Sequence, residues 1–367
     1  MLRPQDVGRR VVVRKIIGVG GDRPLYTDLL GLLAELTETE LTVLTRHGPQ
    51  RVARADVHRS KLVPPTTNPS AVRAARREAD EIGRLELTAN ESWPAAVQHR
   101  LGDWLLRATD GWTGRANSAL PLGDPGRPLA EAVDAVDAWY TEHGLPPQFN
   151  VPLPAAAEVA SELAGRGWQA QPLTLVQTAQ LADVVTRASE RTDPANEQTD
   201  PASEQADPAS ERTDPATRRR GLPPVRLDRE PSDEWLALVA ASKSPGGPLP
   251  PAAHKLLTGA PHVRFAHLHE DGELVAVARA TVSADRRWCA VALLAVTPAA
   301  RGRGLATHVL RTVAGWAHDE MGARHAFLQV EQRNPATALY LRLGFTTHHV
   351  YLPWRRTVSG EPPGGAC

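Results

Sequence analysis

The sequence predicts a mixed α/β chain with a small all-β module at its N-terminus. Three observations lead there. An apolar run, Val291 to Val296, is long enough for one buried strand; it stops at Thr297-Pro298, passes through the loop 299–303 and enters an amphipathic helix at Gly304. Leu305, Val309, Leu310, Val313 and Trp316 form one stripe of that helix. The same order of strand, loop, helix, strand, helix and strand occurs earlier in the chain. The first 65 residues, by contrast, hold only short β-rich runs separated by turn residues.

At 367 residues the chain suggests two to three domains, at roughly 100–200 residues each. Lys and Arg together number 42, as do Asp and Glu, so the formal charge is zero. No global pull toward nucleic acid or an anionic membrane follows. Cys289 falls in a buried strand and Cys367 is the last residue, which argues against a structural disulfide. With no signal peptide and no apolar run near 20 residues, the expectation is a soluble cytoplasmic protein without membrane contact.

Residues 1–65 read as Arg10–Ile17, Leu29–Leu36, Glu40–Thr45 and Gln50–Val57, separated by Gly20-Gly21-Asp22, Thr37-Glu38-Thr39 and His47-Gly48-Pro49. The spacing favours a barrel of SH3-like size. Up to Pro64 there are 11 basic and 7 acidic residues, with Tyr26 the one aromatic. A nucleic-acid reader wants a denser basic stripe and stacking rings, so a packing or protein-contact module is the preferred reading.

Residues 66–185 form the next unit. A hinge at Pro64–Pro69 leads into a charged helix, Ala71–Leu87, and five of the nine tryptophans follow. Trp104–Arg107 and Asn117–Leu122 read as paired strands, Leu129 to Tyr140 as a helix ended by Gly144 and Pro146-Pro147, then Phe149–Val151, Ala155–Ala164 and Trp168–Val176. This order parallels the C-terminal half, and Gly167-Trp168 matches Gly344-Phe345, so the unit reads as a degenerate copy. Leu163 stands where the later copy has Tyr340, and Pro125 and Pro128 remove N–H donors from its loop. Residues 186–221 contain Thr/Ala-Asp-Pro-Ala at 192, 199, 206 and 213, with seven acids and one arginine between Thr192 and Thr217. Proline in every copy excludes a coiled coil, and a disordered tether is expected. Residues 222–357 hold the second lobe, and 358–367 a tail.

The chemistry concentrates at the loop. The first N–H groups of a helix lack internal partners and its dipole favours negative charge. Gly302 and Gly304 allow close approach, and Arg301 and Arg303 add charge. The natural ligand is a pyrophosphate. A Walker loop would end in Gly-Lys-Ser/Thr, and a dinucleotide fingerprint would come early in a long βαβ chain; neither fits.

Arg301-Gly302-Arg303-Gly304-Leu305-Ala306 resembles the Arg/Gln-x-x-Gly-x-Gly/Ala signature of the GNAT acyltransferases. Val296-x-Pro298 before it and Ala338-Leu339-Tyr340-x-x-x-Gly344-Phe345 after it strengthen the match, which covers about Pro223 to Trp354. The likeness extends to tandem-lobed actinobacterial members. It implies a GNAT fold with a splayed mixed sheet, preceded by a degenerate GNAT-like lobe. It also implies acetyl-CoA as co-substrate and a primary amine, on a small molecule or a protein, as acceptor. The resemblance puts the pantetheine arm along Leu294, Ala295 and Val296, and the pyrophosphate on the N–H groups of Gly302, Arg303, Gly304, Leu305, Ala306 and Thr307, with the Arg301 or Arg303 side chain assisting. Tyr340 becomes the general acid that protonates the leaving thiolate. Asn334 becomes an arm ligand, although it lies six residues before Tyr340 where the family spacing is seven, and Arg333 holds that place.

The general base is not legible: Glu331, His348, His349 and a bound water all qualify. Trp235, Lys243, His254, His349 and Tyr351 are the acceptor-groove candidates. The 13 histidines show no metal-ligand spacing. Two other functions stay open, a non-catalytic acyl-CoA sensor that binds a partner, and a nucleic-acid-reading N-terminal module.

Overall fold

The computed structural model of the protein describes residues 2–20, 23–45, 47–64, 68–192, 222–243 and 249–356. The seven-residue repeats after Thr192 and the tail lie outside them.

The N-terminal module comprises β1 (Arg10–Gly20), β2 (Arg23–Leu36), β3 (Glu40–Thr45), β4 (Gly48–Ala53) and β5 (Val57–Leu62). They form an antiparallel sheet in the order β4-β3-β2-β1-β5. Val11, Val13, Leu33, Leu41, Val43 and Val52 are its buried face, and bulges at Ile16/Gly18, Arg14/Lys15 and Leu33/Glu35 bend it. Among the described residues no ladder joins β4 to β5, so the hydrogen bonding is that of an open sheet and does not establish the closed SH3-like barrel expected. β2 begins six residues earlier than the sequence indicated. Its first half pairs with β1 in an arm whose Ile17, Leu25 and Tyr26 are exposed, which leaves no burial pattern to read.

The next unit holds α1 (Pro69–Ser92), β6 (Val97–Leu101), β7 (Trp104–Ala108), α2 (Leu129–Glu142), β8 (Gln148–Leu153), α3 (Ala157–Gly165), β9 (Gln169–Ala170), β10 (Thr174–Gln180) and α4 (Leu181–Thr192). Asn68 caps α1 by accepting from the Ser70 N–H at 3.0 Å. The full ladder of β7 is with β6; the pairing expected with Asn117–Leu122 is present as a single antiparallel bridge, Leu105↔Leu120, and the same stretch bridges β8 through Ala119↔Phe149. β6 escaped notice because four of its five residues face solvent. α4 runs six residues beyond the start expected for the tether, because Leu181, Val184 and Ala188 bury a stripe in the core that α7 also faces.

The last unit holds β11 (Val225–Asp228), α5 (Asp233–Lys243), α6 (Pro251–Thr258), β12 (Val263–Glu270), β13 (Glu273–Val282), β14 (Trp288–Val296), α7 (Leu305–Gly315), β15 (His325–Glu331), α8 (Ala336–Arg342) and β16 (Thr346–Arg355). Ser232 caps α5, its Oγ accepting from the Trp235 N–H at 3.2 Å.

The two later units share one sheet, in the order β11-β12-β13-β14-β15-β10-β16-β8, with β9 on β16. β10 precedes the tether yet lies between β15 and β16, while β16 crosses to β8. Leu175 and Ala179 of β10 join the core on one face and Val176 the core on the other. A strand covered on both faces needs a neighbour on each edge. The sequence boundary between two lobes is thus not a boundary in the sheet. Residues of α2, α3, α4 and α7 cover one face, and those of α1, α5 and α6 the other.

The N-terminal module docks on α3. Gly8 has φ +85°, and a Cβ there would lie 2.3 Å from the Ala157 carbonyl oxygen. The Ser161 hydroxyl donates to the Val7 carbonyl at 2.9 Å. Gly8→Val is expected to destabilise the protein by about 2–5 kcal/mol through overpacking and left-handed strain, read as a lowered midpoint in urea.

Candidate active site

The sheet opens where β14 leaves β15. Their parallel pairing runs from Trp288↔His325 to Val291↔Leu328 and stops. Leu293 takes φ +55°, and the β13 register slips between Val277 and Arg279. Beyond this bulge β14 keeps β13 on one edge, through Val277↔Ala295 and Ala276↔Val296, and turns its other edge to the gap. β15 meanwhile continues against β10 as far as Thr174↔Glu331. Leu294, Ala295 and Val296 therefore line a wedge with one strand edge unpaired, able to pair an extended ligand.

The wedge leads to the glycine loop. Gly302 and Gly304 both have φ +76°, and Gly304 caps α7 in a left-handed conformation. The His308 N–H is the first to find an acceptor within the turn, the Gly304 carbonyl at 3.0 Å. The N–H groups from Gly302 to Thr307 have no hydrogen-bond partner among the described residues, which leaves a cluster of donors at the positive end of the helix.

The two loop arginines differ. Arg303 forms a two-pronged ion pair with Glu270 at 2.7 Å and 2.7 Å, so its charge is already matched. The Arg301 Nε donates to the Val296 carbonyl at 3.3 Å. Asn334 is engaged as a helix cap: its Oδ1 accepts from the Ala336 N–H at 2.9 Å, and the Thr337 hydroxyl donates to its carbonyl. Arg333, at the place where the family pattern has Asn, reaches the N-terminal module, 2.5 Å from Glu40 and 3.7 Å from Glu35. Tyr340 is 8% exposed and edge-on to Phe345 at 6.0 Å. Burial pushes its phenol up to about 12.

The remaining candidates divide. Trp235 is wholly buried and donates to the Ala266 carbonyl, so it is a core residue and lines no groove. His254 is exposed beside Glu230 at 3.7 Å. The Lys243 side chain lies outside the described atoms. His349 is buried: its Nε2 is 2.9 Å from Glu86 of α1, and its Nδ1 is 2.9 Å from that of His348. Burial first, and then His349, holds His348 below the usual histidine range. Tyr351 is buried next to them. Glu86 gave no signal, being one charge among many in α1. Cys289 is a free, buried thiol, pushed up to about 12 by burial. No helix among the described residues is long and apolar enough to cross a membrane.

A mixed sheet splayed at a bulged strand, with a glycine loop opening a helix at the mouth of the splay, defines a GNAT-type N-acetyltransferase. The chain belongs to the family described as "Probable histone acetyltransferase Rv0428c C-terminal", matched over residues 79–195 and 210–352. Among curated relatives, it is 27% identical over 282 residues to the uncharacterised N-acetyltransferase YobR of Bacillus subtilis, covering 74% of this chain and 98% of YobR. It is 30% identical over 164 residues to the probable histone acetyltransferase Rv0428c of Mycobacterium tuberculosis, covering 42% of this chain and 49% of that one. Similar solved structures include a GCN5-related N-acetyltransferase from Kribbella flavida, at TM-score 0.49 and 17% identity, covering 80% of this chain and 96% of that chain. Another is a tandem GNAT protein of the clavulanic acid biosynthesis pathway, at TM-score 0.42 and 16% identity, covering 65% and 74%.

Proposed function

We propose that the protein transfers an acetyl group from acetyl-CoA directly to a primary amine. The observation that carries this reading is the alignment of an unpaired β14 edge with the unpartnered N–H groups of Gly302 to Thr307. An extended amide-bearing arm pairs with Leu294–Val296, and its diphosphate ends on the helix mouth. The neutral amine attacks the thioester carbonyl, the C–S bond breaks, the sulfur takes a proton from the Tyr340 hydroxyl, and the amine's proton passes to water, from which Tyr340 is reprotonated. Asn334 supports the arm by shaping the turn into α8. Arg301, which has no carboxylate partner among the described residues, assists the diphosphate; Arg303, tied to Glu270, contributes less.

The test is release of CoA thiol from acetyl-CoA in the presence of pooled amines and basic peptides, alongside calorimetry of acetyl-CoA binding. Binding with no turnover on any acceptor supports the sensor reading instead, and no binding removes both.

In this reading residues 222–357 carry the chemistry, 66–185 complete the sheet without a site of their own, and the SH3-like module is a docked contact element. The module touches the site through Arg333. Glu40→Gln weakens both Arg333 and Arg51, which share that carboxylate. The pairs are partly exposed, so the expected rise in the KM for acetyl-CoA is about two- to fivefold. An unchanged KM would detach the module from the site.

A further inference from the structure

Arg279 and Arg115 meet at the Trp93 ring on the face of the shared sheet opposite α7, with Arg107 within electrostatic reach of Arg115 and Arg355 beside the neighbouring Gly114. Along β13, Ala278 and Ala280 belong to the core that α7 covers, so Arg279 between them points the other way. The same alternation places Arg107 opposite Trp104 and Leu106, and Arg355 opposite Leu352 and Trp354. Arg115, in the turn before Asn117, joins the three. Its guanidinium lies 5.7 Å from the Trp93 ring, with that of Arg279 4.9 Å from the same ring. Arg107 is close enough for mutual repulsion with Arg115. A Cβ on Gly114 would lie 3.7 Å from Arg355.

Charge is gathered here without an ion pair among the described residues. Among the described residues none of the four is within 4.0 Å of a carboxylate, whereas eight other arginines of the chain are. Arg107 is 2% exposed and bonds the carbonyl and hydroxyl of Ser118. Arg279 is 1% exposed and bonds the carbonyls of Leu257 and Ser92, at the C-terminal ends of α6 and α1. Those carbonyls offset part of its charge, yet among the described residues its second terminal nitrogen has no partner, and neither does the Nε of Arg115. Burial first, and Arg115 second, pull Arg279 down to about 9. Glu86, bound to His349, offsets part of the charge of Arg107, whereas no acid does so for Arg279 among the described residues. Like charges packed together in a low-dielectric region are unfavourable unless an anion joins them.

We propose that this cluster binds an oxyanion carried by the amine acceptor. The proposal rests on the acetyl-transfer reading and narrows its substrate to amines bearing a carboxylate or phosphate. Two features tie the anion to the acceptor. The diphosphate-binding N–H groups belong to α7, on the other face of the sheet, so the cofactor's phosphates are directed away. Arg279 faces Ala292 across the β13–β14 ladder, next to the Leu293 bulge, and adjacent strands lie about 4.8 Å apart. An anion held there leaves an amine a few bonds away at the open β14 edge. Arg115, half-buried, forms the approach, while Arg279 is the fixed floor.

Matched acceptors test this: β-alanine against its carboxamide, and phosphoethanolamine against ethanolamine, in the full-length protein. The expected kcat/KM ratio favours the anionic member of at least one pair about 10- to 100-fold, and Arg115→Gln or Arg355→Gln brings that ratio toward one. A purely structural role would lower both members alike and leave the ratio intact, which overturns the proposal. So does a wild-type ratio near one, even though transfer itself would uphold the enzyme. If Arg115→Gln instead raises the KM for acetyl-CoA but not for acetyl-dephospho-CoA, the anion is the cofactor's and the proposal fails. Should no amine be acetylated, inorganic phosphate and acetate titrated against tryptophan fluorescence decide. Saturable quenching that disappears in Trp93→Phe and in Arg115→Gln upholds the anion site, and its absence removes it.

Discussion

Tyr340→Phe is expected to lower kcat about 10²- to 10³-fold with the affinity for acetyl-CoA changed less than threefold. The substitution deletes one oxygen from a side chain that is already core material on α8, packed against Phe345. The packing is therefore kept and the proton donor removed, and general acid assistance is typically worth 10²–10⁴ in rate. The pH profile sharpens the test. Burial raises the phenol to about 12, above its ordinary value near 10, so the proposed acid keeps its proton throughout the neutral and mildly alkaline range. kcat/KM should then rise with pH as the acceptor amine loses its proton, and show no alkaline fall below about pH 10. A fall near pH 8 would mean that some other group donates the proton, and an unaltered kcat in Tyr340→Phe would remove Tyr340 from the mechanism.

How much of this was legible follows the range of the interactions. The strand-to-helix turn at Val296–Leu305 could be read because all of its determinants are local: an apolar run, a proline stop, two glycines and an amphipathic stripe. The β12–β13 turn at Asp271-Gly272 and the start of α6 at Pro251 have determinants of the same local kind. The exchange of β10 into the later sheet was not. Leu175 and Val176 look alike in sequence whether their neighbours are β8 or β15, and strand pairing across a long tether leaves no local mark. The site divides in the same way. Tyr340 and the loop glycines stand in a motif, whereas Glu86, Arg107, Arg115 and Arg279 come from separate segments brought together only by the shared sheet. Arg303 shows the same limit from the other side: charge next to a phosphate loop suggested a ligand, and its ion pair with Glu270, two strands away, left no local mark.

Gly304→Val should weaken acetyl-CoA binding about 30- to 150-fold while the fold survives. Two effects combine. Gly304 has φ +76° as the cap of α7, a conformation that a β-branched residue adopts only at about 1–3 kcal/mol of strain. Relief of that strain rotates the cap, and with it the N–H groups of Leu305 to Thr307 that would face the diphosphate. In addition, a side chain at Gly304 projects into space with no protein atom within 4 Å, so it meets nothing in the free protein and obstructs only what binds there. Loss of about 2–3 kcal/mol of charge-assisted hydrogen bonding gives the stated range. Gly272→Val separates the two effects. Gly272 also has a positive φ, +87°, and open space around its Cβ position, but it lies in the β12–β13 turn. It should show a comparable loss of thermal stability with calorimetric affinity within about twofold of wild type. Equal affinity losses in the two variants would indicate that backbone strain alone is felt at the site. Undiminished uptake by Gly304→Val would mean that the diphosphate does not rest on the mouth of α7.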